Sequence, residues 1–127
     1  MPARSLEASV RHQPRVAIVD LHGEIDAFAE DVLNAAYADA DSRGAEEILL
    51  NFSDVDYINS TGIALIVSLL ARARKSKRKL LACGLSQHYV ELFQITRLVD
   101  FMSVFPDEAS ALSEYPKSIV LPNDNNK

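Results

Sequence analysis

The sequence contains few of the residue types from which disulfide frameworks and metal centres are built. It has one cysteine, three histidines and no tryptophan in 127 residues. A single cysteine, Cys83, excludes an internal disulfide and is consistent with a reducing compartment. The histidines, His12, His22 and His88, lack the spacing of metal ligands, so we expect no metal and no other cofactor. A P-loop and a Ser-His-Asp order are also missing, so we do not expect an enzyme.

Long hydrophobic runs and an excess of basic charge are absent as well. No apolar stretch is long enough to span a bilayer, and residues 1–5 lack the apolar core of a signal peptide. The net charge of −5 argues against binding to nucleic acid or to an anionic membrane. With 48% hydrophobic residues, the chain has enough apolar side chains to fill one core. These features predict a single cytoplasmic domain.

Alternating apolar patterns predict an α/β fold. Strand patterns occur at residues 6–10, 16–21, 48–52, 80–83 and 102–105, and helical patterns at residues 28–42, 61–75, 87–96 and 107–114. The first two strands are joined across residues 12–15 and form a hairpin, whereas the later strand–helix–strand units predict parallel crossovers. We therefore expect one domain over residues 5–115, with a mixed sheet of about five strands and about four helices. The polar residues 116–127 predict a disordered tail.

A junction between a strand and a helix is the most informative part of the chain. The apolar run 48–52 predicts a buried strand, residues 53–59 predict a polar turn, and an apolar helix follows. Ser60 and Thr61 lie where the helix begins, beside unpaired backbone N–H groups and the positive end of the helix dipole. A hydroxyl there either caps the helix or carries a phosphate, and the residues alone leave both interpretations open.

The helix after Gly62 is apolar over more than one face. The residues predicted to face the sheet share helical spacing and are Ile63, Ile66, Val67 and Leu70. Leu65 and Leu69 lie beside this stripe. Part of the helix is therefore expected to stay available to a partner.

Three segments resemble the signature motifs of one family in order and spacing. The segments are Leu21-His22-Gly23-Glu24-Ile25-Asp26, Tyr57-Ile58-Asn59-Ser60-Thr61-Gly62-Ile63 and Leu92-Phe93-Gln94-Ile95-Thr96-Arg97-Leu98. They resemble the Leu-x-Gly-Glu-Leu-Asp, Asp-Ser-Ser-Gly (or Asp-Ser-Thr-Gly) and Leu-Leu-x-x-Thr-Gly-Leu motifs of the STAS domain family, and within it those of the bacterial anti-sigma factor antagonists. The similarity extends from about Leu6 to Tyr115 and implies a STAS-type fold.

Two positions depart from the family motifs. Asn59 stands where the family has Asp. Because Asn caps a helix about as well as Asp, we expect the fold to be preserved while the local charge and the recognition by a kinase change. Arg97 stands where the family has Gly, which predicts that the preceding helix ends in a different way.

The resemblance implies that Ser60 is the phosphoacceptor of a partner switch. The unphosphorylated protein would bind an ATP-dependent serine kinase that is also an anti-sigma factor, and so free a sigma factor for transcription. Phosphorylation would end this binding, and a serine phosphatase would restore it. The residues expected to contact the partner are Asp26, Asp56, Asn59, Thr61, Gly62 and Leu65. Asp26, Asp54 and Asp56 form either an acidic rim around Ser60 or ordinary solvated acids.

Two other classes of protein stay open. A structural STAS subunit could assemble with other STAS proteins into a larger signalling scaffold, and sedimentation of the purified protein separates this class from a monomeric antagonist. An enzyme or a small-ligand carrier is disfavoured because paired catalytic groups are absent. The basic run from Arg72 to Lys79 is interpreted as a helix end favoured by the dipole rather than as a phosphate-binding patch.

Overall fold

A computed structural model of the protein describes residues 4–113. Its main elements are β1 (Glu7–Gln13), β2 (Val16–Ile25), α1 (Glu30–Asp41), β3 (Glu47–Ile58), α2 (Ser60–Lys75), β4 (Lys79–Cys83), α3 (Gln87–Ile95) and β5 (Ser103–Phe105). Two short 3₁₀ turns, Ala27–Ala29 and Leu98–Asp100, precede α1 and β5. A last helix, α4, begins at residue 108 and extends to residue 113. The tail predicted at residues 116–127 lies outside the described residues.

The five strands form one mixed sheet in the order β1-β2-β3-β4-β5. β1 pairs antiparallel with β2, and residues 14–15 turn the chain between them. β2, β3, β4 and β5 run parallel, and α1, α2 and α3 connect them in turn. The predicted α/β class, the hairpin and the mixed sheet are confirmed.

Each face of the sheet has its own apolar core. Because right-handed crossovers between successive parallel strands place their helices on one side, α1, α2 and α3 cover the same face. Leu50 from β3 and Phe93 from α3, which are 2% and 0% exposed, belong to this larger core. α4 covers the opposite face, where Arg11 donates hydrogen bonds to Glu108 at 2.6 Å and to Asp20 at 2.7 Å. The C-terminal helix is thereby fastened to β1 and β2.

β3 is longer than the sequence predicts. The predicted strand ends at residue 52, whereas β3 continues to Ile58 and includes most of the residues predicted as a polar turn. A hydrogen bond and an ion pair stabilise this polar stretch, because His22 Nδ1 lies 2.8 Å from Asp54 Oδ2 and Arg4 contacts Asp56 at 3.0 Å. Two register shifts between β2 and β3 accompany it. The prediction of a turn is wrong because the partners of these polar residues are distant in sequence.

α2 is rotated relative to the predicted stripe. Ile66 and Leu70 are buried as expected, but Val67 is 45% exposed and Leu69 is 2% exposed. Gly62 is buried in the first turn, and its contact with the end of β2 sets which side of the helix faces the sheet. The prediction that Val67 faces the sheet and that Leu69 lies beside the stripe is therefore wrong.

The helix end at Arg97 has the backbone conformation expected of the family's glycine. Arg97 follows α3 with a φ of +67°, in the left-handed region that glycine adopts most easily. Its side chain donates to Oδ2 of Asp100 at 2.7 Å. Arg97 therefore ends α3 in the left-handed conformation that a glycine most often supplies after a helix, at a cost of about 1–2 kcal/mol.

Two arginines of the basic run, Arg72 in the last turns of α2 and Arg78 just beyond its end, make contacts within the protein. Arg78 donates to Asp41 at 2.6 Å and to the carbonyl oxygen of Ala45 at 2.7 Å. Arg72 lies over the ring of Tyr37, 4.4 Å from its centroid. These contacts join the end of α2 to α1 and to the start of β3. They support the interpretation of the run as a helix end.

Candidate functional site

The junction between β3 and α2 is a single residue, Asn59. Its side-chain Oδ1 accepts a hydrogen bond from the backbone N–H of Gly62 at 2.8 Å. Its own backbone N–H donates to the carbonyl of Ile25 at 3.2 Å. Asn59 is therefore the N-cap of α2, and it also fastens the start of this helix to the end of β2. The interpretation of Ser60 as the cap is wrong, because Asn59 occupies the cap position.

Ser60 and Thr61 are the first two residues of α2, and both are exposed. Neither hydroxyl has a hydrogen-bond partner among residues 4–113. The first turn of the helix carries no acidic residue. An anionic group placed on Ser60 would therefore meet the positive end of the helix dipole without competition from a neighbouring carboxylate of the same turn.

Gly62 lies where the start of α2 meets the end of β2. A Cβ atom at this position would overlap the carbonyl oxygen of Ile25 and would lie 3.0 Å from Cγ2 of Ile58. The close approach of helix and strand therefore requires a glycine. Since Gly62 is buried, it offers a partner almost no surface. Its structural role is to hold the start of the helix against the sheet.

Tyr89, which the sequence does not single out, supports the junction from α3. Its hydroxyl accepts a hydrogen bond from the backbone N–H of Ile58 at 2.9 Å and lies 3.3 Å from the carbonyl oxygen of the same residue, to which it donates. Tyr89 is 8% exposed, so these polar groups are satisfied away from water. No local signal could have found it, because a tyrosine at helical spacing is equally expected of an ordinary core residue.

Asp26 lies at the same end of the sheet as Ser60. It follows Ile25, whose partner across the sheet is Ile58, two residues before Ser60. Its Oδ1 accepts a hydrogen bond from the N–H of Phe28 at 3.0 Å and caps the 3₁₀ turn. Asp26 therefore stays a candidate for the acidic rim, although one of its oxygens already has a structural partner.

Asp54 and Asp56 belong to a separate group of ion pairs. Arg4 contacts Asp54 at 3.4 Å and Asp56 at 3.0 Å, and His22 Nδ1 lies 2.8 Å from Asp54 Oδ2. The hydrogen bond with His22, followed by that with Arg4, lowers the pKa of Asp54 below its usual value. Because a cation compensates both carboxylates, these residues hold the N-terminal segment against β3.

Apolar side chains extend the surface around Ser60. Leu65 is half-buried and packs against the larger core, so only part of it is available. Phe28 is 91% exposed and Val67 is 45% exposed. Sequence reasoning missed Phe28 because a phenylalanine at the start of a predicted helix indicates a core position.

The remaining reactive side chains do not form a second centre within the described range. Between residues 4 and 113, no three His, Cys, Asp or Glu side chains are grouped so that they could hold a metal ion. No helix in this part of the chain is long and apolar enough to cross a membrane. Burial raises the pKa of the Cys83 thiol to about 11, which keeps it protonated at neutral pH.

Comparisons with known proteins agree with this geometry. The family model of the STAS domain matches residues 7–111. An anti-sigma-B factor antagonist from Staphylococcus aureus is 29% identical over 100 residues, which cover 79% of this chain and 93% of the relative. The crystal structure of an anti-sigma factor antagonist from Mycobacterium paratuberculosis is similar, with a TM-score of 0.69 and 19% identity, over 87% of this chain and 93% of that one.

A second solved structure is that of the Bacillus cell fate determinant SpoIIAA in its phosphorylated form. It has a TM-score of 0.65 and 20% identity, and the match covers 85% of this chain and 98% of that one. At such low identity the two structures show a shared fold. The family model, however, spans every described element from β1 to the middle of α4. The chain therefore belongs to the STAS domain family and, within it, is similar to the anti-sigma factor antagonists.

Proposed function

We propose that this chain is a phosphorylation-switched anti-sigma factor antagonist. Without a phosphate on Ser60 it binds an anti-sigma factor that is also a serine kinase, and the sigma factor is released to direct transcription. Phosphorylation of Ser60 by this kinase ends the binding, and a serine phosphatase removes the phosphate. The switch operates in the cytoplasm, where sigma factors act. The observation that carries the proposal is the exposed hydroxyl of Ser60 beside a cap that Asn59 already supplies.

The division of roles between Asn59 and Ser60 suits a switch. Because Asn59 caps α2, the Ser60 hydroxyl is not needed for the fold and is accessible to a kinase. A phosphate adds about −1.5 to −2 charges at neutral pH. In the free protein the dipole of α2 favours this charge by roughly 0.3–1 kcal/mol. The folded domain therefore tolerates the phosphate.

The same phosphate is unfavourable in the complex. Contact with a partner removes water from the surface beside Ser60. The carboxylate of Asp26 lies at this end of the sheet, and α2 has no basic residue before Arg72 that could compensate the phosphate. A charge that is buried at an interface without a matching partner costs roughly 2–5 kcal/mol. The difference between the free and the bound protein is what makes Ser60 a switch.

The contact surface is formed by the exposed residues of the junction. Its proposed members beside Ser60 are Asp26, Thr61 and the exposed part of Leu65, and Asn59 contributes the atoms not used in the cap. Gly62 is less suited to direct contact because it is buried against Ile25, and Asp56 is less suited because Arg4 neutralises it.

The relatives support the same role. The Staphylococcus aureus relative is named as an antagonist of an anti-sigma-B factor. SpoIIAA, which has the same fold, is known in an unphosphorylated and a phosphorylated form. A protein of this family with an accessible hydroxyl at the start of α2 is thus suited to carry and lose a phosphate.

Phosphorylation with a purified kinase tests the assignment of Ser60. Capture from a lysate of the native organism with Ser60→Ala as bait isolates the kinase, and incubation with ATP should then add one phosphate to the wild-type protein. Thr61→Ala is the matched control, because Thr61 is adjacent and is also exposed. We expect Thr61→Ala to be modified like the wild type and Ser60→Ala to stay unmodified. Mapping by mass spectrometry of a phosphate to Thr61 or Ser53 would contradict the assignment.

Calorimetric titration against the same kinase tests the switch. Ser60→Ala should bind like the unphosphorylated wild type. Ser60→Asp should bind at least about tenfold more weakly, because it carries a negative charge into the interface. Equal affinities of the two variants would show that the partner binds elsewhere on the protein.

A further inference from the structure

An uncharged exposed surface extends along the first half of α2. No charged residue occurs between Ser60 and Ala71, although 24% of the chain is charged. The exposed residues of this segment are small, hydroxylated or apolar: Ser60, Thr61, Ala64, Val67, Ser68 and Ala71. The solvent-facing side of a helix normally carries charges, whereas the cores of protein interfaces are depleted of them. The first half of α2 therefore has the composition of an interface.

Phe28 lies beside this surface, in the 3₁₀ turn before α1 that contacts α2. Its side chain is 91% exposed, the largest exposed fraction among the large apolar residues between positions 4 and 113. An aromatic ring left in water gives up the burial by which such side chains stabilise a fold. Its exposed position is explained if the ring is buried in a complex.

The turn that carries Phe28 is fixed to the start of α2. Asp26 accepts the N–H of Phe28 through its side chain and the N–H of Ala29 through its carbonyl, both at 3.0 Å. Ala29 is 1% exposed and belongs to the larger core. The preceding residue, Ile25, accepts the N–H of Asn59 at 3.2 Å. Because these contacts already fix the backbone of the turn, binding through Phe28 costs little further backbone entropy.

We infer that Phe28 is an apolar anchor for the serine kinase that acts on Ser60, an inference that rests on the proposed function. The kinase presents an apolar pocket for the ring next to the place where its ATP meets Ser60. The uncharged surface of α2 forms the adjoining part of the contact. In this arrangement the phosphorylation of Ser60 determines whether the kinase binds, and Phe28 contributes to the affinity of the complex.

Geometry makes the kinase the occupant of this surface. Phosphoryl transfer requires the γ-phosphate of ATP to come within about 3–3.5 Å of the Ser60 hydroxyl. A protein partner that reaches this point covers about 800 Å² of the chain, a patch of roughly 16 Å in radius. The turn of Phe28 contacts α2 and lies at the same end of the sheet, so it falls within this patch. Aromatic residues near the centre of an interface are the typical hot spots.

Exposed apolar residues elsewhere provide the contrast. Ile95 is 78% exposed, but it lies at the end of α3, which leads to the start of β5 and so to the opposite end of the sheet from Ser60. Phe101 is 53% exposed and already has a partner, because the guanidinium of Arg74 lies 5.1 Å from its ring centroid. Ile95 is therefore the matched control for Phe28.

Titration of the purified kinase with Phe28→Ala, Phe28→Leu and Ile95→Ala tests the anchor. The kinase is the one that capture with Ser60→Ala isolates from the lysate. We expect Phe28→Ala to bind at least about tenfold more weakly and Ile95→Ala to bind like the wild type. Phe28→Leu should recover most of the affinity. In phosphorylation kinetics, Phe28→Ala should raise KM with kcat changed by less than about twofold, because uniform binding is lost. Melting curves should be unchanged, since the ring is exposed.

The outcomes separate the anchor from the switch. A Phe28→Ala variant with wild-type affinity, measured beside a Ser60→Asp variant that binds weakly, overturns the anchor and leaves the proposed function intact. Equal losses in Phe28→Ala and Ile95→Ala also overturn it, because the effect is then independent of position. A wild-type protein that neither binds the kinase nor accepts a phosphate overturns both.

Discussion

The two ends of the parallel strands use charge in different ways. Where the strands begin, Arg78 binds Asp41 and a main-chain carbonyl, and the carboxyl group of Glu47 is enclosed at 4% exposure. Where the strands finish, α2 begins with exposed residues that carry no charge, and its cap is the neutral side chain of Asn59. Near the first end Arg78 binds its charge within the protein, whereas at the second end the first half of α2 leaves an uncharged surface to solvent.

This difference separates stability from recognition within a single helix. At the end of α2, Arg72 lies over Tyr37 of α1, and Arg78 just beyond the helix binds Asp41, so substitutions there are expected to change the free energy of unfolding. The exposed positions of the first turns contact little else, so substitutions there are expected to change binding. Gly62 and Asn59 are exceptions at the start of α2, because they hold the helix in place and substitutions of them are expected to change stability.

At the start of α2, the largest loss of stability is expected from Gly62→Ala. The added methyl group would overlap the carbonyl oxygen of Ile25, so the helix and β2 must separate, at a cost of about 3 kcal/mol in unfolding free energy. Gly44→Ala is the matched control, because its φ of +72° imposes strain while its Cβ meets no atom within 4 Å. This control should lose only about 1 kcal/mol. Urea titrations compare the two, and equal losses would show that packing at Gly62 is unimportant.

The opposite end is tested by Glu47→Gln and pH. Burial raises the pKa of Glu47 to about 7 from an ordinary value of 4.5, and Lys79 opposes part of this shift. Because this pKa is higher in the folded than in the unfolded protein, Glu47 contributes its full stabilisation below pH 4.5. That contribution to the free energy of unfolding is lost as the pH rises through 7. The glutamine does not titrate, so at pH 8 the variant should be more stable than the wild type by up to about 3 kcal/mol.

Urea titrations of this pair at pH 5 and pH 8 give the answer. The advantage of Glu47→Gln should be much smaller at pH 5 than at pH 8. A constant difference between Glu47→Gln and the wild type would mean that Glu47 is solvated in the folded protein.

A smaller effect is expected at the cap. Asn59→Ala removes the acceptor for the N–H of Gly62 and should cost about 1 kcal/mol, whereas Asn59→Asp keeps the acceptor and should stay within about 0.5 kcal/mol of the wild type. Asn59→Asp should instead change the phosphorylation rate of Ser60, because a carboxylate then stands beside the acceptor. Melting curves and kinase rates of both variants test this. If Asn59→Asp is phosphorylated at the wild-type rate, the choice between amide and carboxylate at this position has no effect on the phosphorylation of Ser60.

The smallest change in stability is expected for Ser60→Ala. Since Asn59 is the cap and the Ser60 hydroxyl is exposed, its loss should change the unfolding free energy by less than about 0.5 kcal/mol. Thermal unfolding beside Asn59→Ala gives the comparison. A cost for Ser60→Ala as large as that for Asn59→Ala would assign the capping role back to the serine.

Regular apolar patterns explain why much of the fold could be predicted from the sequence. The hairpin, the parallel strands and the three connecting helices each have a continuous local signal, and residues 48–52 and 80–83 are apolar runs of the length expected for buried strands. Ser60 could be proposed from the sequence because its motif is local as well. These features depend on neighbours along the chain.

The errors concern residues whose partners are distant in sequence. The polar second half of β3 was predicted as a turn because nothing local shows that Arg4 and His22 compensate Asp56 and Asp54. The rotation of α2 depends on a contact between its first turn and β2, which helical periodicity does not contain. Tyr89 is a similar case, since its bonds to the end of β3 exist only in the assembled fold.

The one-residue link between β3 and α2 bears on how a signal is kept over time. Asn59 is hydrogen-bonded to Ile25, and Tyr89 is hydrogen-bonded to the last residue of β3. No flexible loop therefore separates β3 from α2, and we expect a phosphate on Ser60 to leave the start of the helix in place. We therefore expect the phosphorylated and unphosphorylated forms of the proposed switch to share one backbone conformation. If the proposed switch operates, a population of these molecules would store the recent activity of the kinase as the ratio of the phosphorylated to the unphosphorylated form, and hydrolysis of the phosphate alone would reset that ratio.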